Sequence, residues 1–217
     1  MSSRKRRFND KRLNKPGGEY RRILICTEGE VTEVQYFQQL VQKLNISDLQ
    51  CKVEGPDGTD PLSVLRKAIR KARSADEDGN PYSEIYCVVD VDDSSRRDNL
   101  EQAVREASSS RVAGVPVRMV VTNLKFEVWL LWHFGEDPAK GSSFDSVKID
   151  EKIKALPAKS MTEKRRKHIG HSFPFENYQK ASERAYKRDP NLDFNRVGEF
   201  PSSAVPRLIE RITGSRP

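Results

Sequence analysis

The stretch RRILICTEGEVTEVQYF, residues 21–37, decides the fold. Its Ile23-Leu24-Ile25-Cys26 run is short, apolar and rich in β-branched residues, which suits a strand buried on both faces better than a helix. The apolar run stops just before Glu28. From Thr32 the pattern changes, because Val34, Phe37, Leu40, Val41 and Leu44 recur at helical spacing, and Thr32 with Gln35 reads as a capping box. A buried strand followed within a few residues by an amphipathic helix is the opening unit of a parallel α/β sheet.

Outward from that unit the alternation repeats. Asn45 to Asp48 breaks the first helix, LQCKVEG (49–55) reads as a second strand, and Asp60-Pro61 supplies a cap and a first-turn proline for a helix with Leu62, Leu65, Ile69 and Ala72 on one face. EIYCVVDVDD (84–93) is a third apolar strand that stops where its acids begin, followed by a predicted helix over 99–108. VPVRMVVT (115–122) is a fourth strand, and NLKFEVWLLWHF (123–134) places Phe126, Trp129, Leu130 and either His133 or Phe134 on one helical face. The fold class expected is therefore α/β, a Rossmann-like central parallel sheet of about four strands flanked by helices. After Gly135 the segments VKIDEKIKAL, FENYQKASERAYKR and SSAVPRLIERI look helical and no strand is expected. The organisation predicted is a basic flexible arm over 1–20, the α/β domain over 21–134 and a helical C-terminal subdomain over 135–217.

The net charge of +7 is unevenly spread: residues 1–17 hold seven Lys/Arg and one Asp, which leaves 32 basic and 31 acidic residues for the rest. An arm carrying Arg4, Arg6 and Arg7 gains affinity for any polyanion by counterion release; a solubilising tail is the alternative. With a mean hydropathy of −0.75 and apolar runs far below the ~20 residues of a bilayer span, no membrane crossing is expected. The start MSSRKRRFND lacks an apolar h-region, so no secretory signal is expected, and the chain reads as cytoplasmic. Cys26, Cys51 and Cys87 each fall in a predicted strand, where a free thiol acts as a small buried hydrophobe; paired C-x-x-C spacing for zinc and a phosphate-binding G-x-x-x-x-G-K-[ST] loop are both absent.

In an open parallel sheet, ligands bind beyond the carboxyl ends of the strands, and the acids lie there. Glu28 follows the first strand, and Asp90, Asp92 and Asp93 follow the third. Strand alternation puts Asp90 and Asp92 on one side, so both carboxylates can bind one hard divalent cation, Mg²⁺ or Mn²⁺, with Glu28 completing the site if the first and third strands are neighbours. The bland alternatives are a Glu28 that interacts with a helix N-terminus and an Asp run in a solvated loop. Glu33, in the first turn of the first helix, is expected to complement the helix dipole, and Glu30 is left open. His168 and His171 beside Lys164, Arg165, Arg166 and Lys167 make a weak metal set and a candidate basic contact patch for nucleic acid.

TEGEVTEVQYF, VVDVDD and TNLKFEVWLLWHF after the first, third and fourth strands, with the terminal FPSSAVPRLIERI, resemble the RloB family over about residues 20–213. That family is a Toprim-fold group related to the abortive-infection protein AbiLii and to OLD-family nucleases. The resemblance implies a Toprim centre in which Glu28 matches the family glutamate and Asp90 and Asp92 match its D-x-D. It implies a nuclease acting on DNA or RNA, tRNA included, in antiphage defence beside an ABC- or AAA-type ATPase; homodimerisation is compatible with it. One departure is Thr122-Asn123-Leu124-Lys125 where the family has Ser-Asn-Pro, so Lys125 is either a stabiliser of transition-state charge or a surface cation. Glu28 either binds metal or handles the proton. Two further alternatives stay open: a non-catalytic module that binds nucleic acid or docks on an ATPase, and a phosphohydrolase of the haloacid-dehalogenase type using Asp90 and Asp92.

Overall fold

Alternation along the first strand sends neighbouring side chains to opposite faces of the sheet, and both faces are covered. In the computed structural model, which describes residues 20–58, 60–91, 97–139, 146–162 and 167–214, β1 spans Arg21–Thr27. Its Ile23 and Ile25 pack into one core cluster, Leu24 and Cys26 into another, and all four are fully buried. A strand with no solvent face must be apolar at every position, so it reads as an uninterrupted run. β3 (Glu84–Asp90) repeats the pattern, with Tyr86 and Val88 on one face and Ile85, Cys87 and Val89 on the other. α1 (Thr32–Leu44) covers the first face with Tyr36, Phe37 and Leu40. α2 (Pro61–Glu77) and α3 (Arg97–Ser109) cover the second with Leu62, Val64 and Leu65 and with Leu100, Ala103 and Ala107.

The order across the sheet is β2 (Leu49–Glu54), β1, β3 and β5 (Val115–Asn123), all parallel, as expected. β4 (Arg111–Val112) and the late β8 (Ser202–Ser203) both pair antiparallel with β5, at its start and at its end. Because β2 lies on one side of β1 and β3 on the other, winding reverses between β1 and β3. The crevice beyond their carboxyl ends is thus the switch point at which open α/β sheets bind ligands.

Local details correct several expectations. Val31, not Thr32, is the N-cap of α1, and it makes no side-chain cap bond. Thr32 is already helical, and its hydroxyl donates to the Lys167 carbonyl at 2.7 Å, while Gln35 Nε2 meets His168 Nδ1 at 2.9 Å and Gln35 Oε1 accepts from the Ile169 N–H at 2.9 Å. The capping-box pair is used in tertiary contact instead. At α2 the expected cap holds: Asp60 Oδ1 accepts from the Leu62 and Ser63 amides at 3.0 and 3.1 Å. α4 is only Glu127–His133, and Val128 through His133 are buried all round, so it has no single apolar face; Trp129 and Trp132 sit in the core.

After residue 135 come α5 (Ser146–Ala155), α6 (Tyr178–Arg188) and α7 (Val205–Thr213), together with strands the sequence did not predict. β6 (Met161–Thr162) pairs with β7 (His168–Ile169), and β8 joins the main sheet. Two residues are too few to leave a period of two in the sequence. Ile149, Leu192, Leu208 and Ile212 belong to the same core cluster as Ile23 and Ile25. Burial pushes the Cys26 and Cys51 thiols up to about 12 and Cys87 well above its usual value, which keeps all three protonated. Among the described residues no helix is long and apolar enough to cross a membrane.

Candidate active site

Beyond β1 the chain stays beside β3, because the Glu28 N–H donates to the Val88 carbonyl at 2.9 Å. This holds Glu28 one residue past its strand and next to Asp90, the last residue of β3. The Asp90 N–H donates to Glu28 Oε2 at 3.2 Å, and Asp90 Oδ2 accepts from the Phe126 N–H at 3.0 Å. The Val91 N–H in turn bridges the Thr122 and Leu124 carbonyls, at 3.0 Å each. Glu28, Asp90 and the turn after β5 are therefore one hydrogen-bonded unit; both acidic residues are partly buried, and the Oδ1 atom of Asp90 is fully so. The condition set by the sequence, that the first and third strands be neighbours, is met.

Glu33 faces the same crevice. Its carboxylate covers Gly29 so closely that a Cβ there would lie 1.9 Å from Glu33 Oε2, so any other residue at 29 would displace that carboxylate. Burial, reinforced by the Glu127 carboxylate, pushes the Glu33 carboxyl up to about 7; Glu28 adds to the rise, while the backbone N–H of Glu33 and the Lys167 charge oppose it. The position in the first turn of α1 agrees with a dipole role, but the buried, acid-flanked environment outweighs that interaction. Glu30 is exposed.

Lys125 sits at the turn after β5 with its side chain 12% exposed, ion-paired to Asp150 of α5. Lys167 is exposed, beside the N-terminus of α1. Asp92, Arg4, Arg6, Arg7, Arg165 and Arg166, which the sequence also singled out, lie outside the described residues. Sequence reasoning passed over Glu127 as a site residue. The signal was available, because Glu127 stands in the first turn of the helix after the fourth parallel strand, as Glu33 stands in the first turn of the helix after the first.

Among the described residues no group of three or more His, Cys, Asp or Glu side chains is arranged to hold a metal ion. The donor chemistry of Glu28 and Asp90 is nevertheless carboxylate oxygen only, which fits a hard divalent cation. Burial is the main cause of the raised proton affinity of Glu33, with the Glu127 and Glu28 charges adding to it.

The sequence profile of RloB-like proteins matches residues 23–212. The chain belongs to the RloB-like family. No curated protein and no solved structure matches it. In this RloB-like chain the matched span runs from β1 into α7, so Glu28, Glu33, Asp90, Lys125 and Glu127 all fall inside it.

Proposed function

We propose that this RloB-like protein is a Mg²⁺- or Mn²⁺-dependent nuclease of the Toprim type that hydrolyses phosphodiester bonds in DNA or RNA, tRNA included. The proposal extends to antiphage defence beside an ABC- or AAA-type ATPase, on the strength of the family resemblance. The observation that carries the reading is the hydrogen-bonded Glu28–Asp90 unit at the switch point of a parallel sheet. Glu28, Asp90 and Asp92 are the residues that would hold the cation. When bound, the cation would supply Lewis acidity and lower the pKa of water.

The chain's own contribution is positional. The Asp90 amide aims the Glu28 carboxylate, and the Phe126 amide aims that of Asp90, so neither has to be ordered when substrate arrives. Lys125 brings a positive charge to the same turn, held back by Asp150. The test is incubation of the pure protein with single- and double-stranded DNA and total tRNA in Mg²⁺, Mn²⁺ or EDTA. Metal-dependent cleavage is expected, lost by at least about 100-fold in Glu28→Gln and in Asp90→Ala with circular dichroism unchanged. Full activity in either variant overturns this site. Retention of nucleic acid without cleavage under any divalent ion points instead to an adaptor, and turnover of p-nitrophenyl phosphate alone to a phosphohydrolase.

A further inference from the structure

The outer side of α2 carries more positive charge than its ion pairs take up. Along its length the helix has five bases, Arg66, Lys67, Arg70, Lys71 and Arg73, against two acids, Asp76 and Glu77, both in its last turn. A solvated helix face ordinarily gains from acids placed three or four residues from its bases, and within α2 only Arg73 has any, Asp76 and Glu77. The two kinds of cation are used differently. Lys67 is buried and pairs with Asp57 at 2.8 Å and Glu54 at 3.7 Å, and Lys71 pairs with Glu54 at 3.6 Å, so the lysines tie α2 to the end of β2. Arg66 and Arg73 are exposed and, among the described residues, make no ion pair; Arg70, also exposed, pairs with Asp57. Steps of four and three residues put the three guanidiniums on one face, around a shallow depression of about 490 Å³ that Ile69, Ser74 and, at its far end, Glu77 also line.

α2 begins just after the carboxyl end of β2 and packs on β1 and β3, so its first turn lies at the same end of the sheet as Glu28 and Asp90. We propose that this arginine face binds the phosphate backbone of a nucleic-acid strand running from the Glu28–Asp90 crevice. A guanidinium is planar, permanently charged and matched to two phosphate oxygens, and a row of them gains affinity by counterion release. The apolar side of α2 is consumed by the core, which leaves no apolar face to insert into lipid. The choice of ligand class rests on the proposed function; the site does not, because binding can be measured without metal.

The full-length protein and Arg66→Ala/Arg73→Ala are titrated in EDTA with labelled single-stranded RNA, single-stranded DNA and duplex DNA over a range of salt. The expected result is binding about 10-fold weaker, with the salt slope reduced by roughly 1.5, consistent with two lost phosphate contacts. Lys180→Ala/Lys187→Ala, two exposed cations of α6, should leave both quantities near wild type. No binding by the wild type, an unchanged slope in the arginine variant, or an equal loss in the α6 variant overturns the inference. Arg66- and Arg73-dependent binding to phosphatidylserine vesicles or polyglutamate, with nucleic acid unaffected, overturns the choice of ligand. Binding without cleavage by the wild type sinks the proposed function alone, and cleavage with arginine-independent binding sinks this inference alone.

Discussion

His133 and Glu33 are buried groups with opposite effects on pH stability. The Pro174 carbonyl can only accept, so His133 Nδ1–H donates to it at 3.0 Å and Nε2 accepts from the Tyr36 hydroxyl at 3.0 Å; burial lowers the imidazole from 6.5 to about 4. Its stabilisation is full above the unfolded value and is lost as pH falls from there through the folded one, by on the order of 3 kcal/mol in all. Glu33, raised from 4.5 to about 7, does the reverse: its contribution is full below 4.5 and lost as pH rises through 7. Between those limits the two slopes oppose each other, each at most about 1.4 kcal/mol per pH unit. Urea unfolding in EDTA should accordingly show Glu33→Gln losing stability more steeply than wild type as pH drops from about 6.5 to 4.5. Parallel curves would mean that Glu33 does not titrate there.

Two helix starts that look alike in sequence behave differently at the scale of elements. Asp60 satisfies two amides of its own helix, so Asp60→Ala should lower global stability by about 1 kcal/mol, read from the urea midpoint. Gln35 serves β7 instead, accepting from the Ile169 amide and meeting His168. Gln35→Ala should therefore accelerate hydrogen exchange at the Ile169 amide with a smaller change in the global midpoint. Unchanged exchange at Ile169 would show that this tether does not hold β7. The difference has a simple cause. Asp60 precedes its helix and can reach back to free amides, whereas Thr32 already lies inside α1.

Across the whole molecule, the last residues complete the first layer. α7 buries Leu208, Ile209 and Ile212 against the face that holds Ile23 and Ile25, β8 pairs with the end of β5, and the Arg21 guanidinium reaches the Ile212 carbonyl at 2.9 Å. Leu208→Ala should destabilise by about 2–5 kcal/mol, while Val147→Ala, at a side chain left exposed, should stay within about 0.5 kcal/mol. Equal urea midpoints for the two variants would contradict this packing. The same layer carries the site, since Asp90 and the turn after β5 are held together at the end of the strand that β8 borders.

Strand runs, helix spacing and the switch from apolar residues to acids are local patterns, so the sequence alone determined the parallel α/β layers, the burial of Cys26 and Cys87, though not the partial exposure of Cys51, and the position of Glu28 and Asp90 at strand ends. It also carried the family resemblance, through motifs that each lie within one turn or strand. The tertiary structure alone decided that Glu33 and Glu127 share the crevice, that Asp150 takes Lys125, and that Thr32 and Gln35 bind the β6–β7 segment. Those outcomes depend on the order β2-β1-β3-β5 and on how far each carboxylate lies from water. Both are set by contacts between residues far apart in the chain, which no local period records.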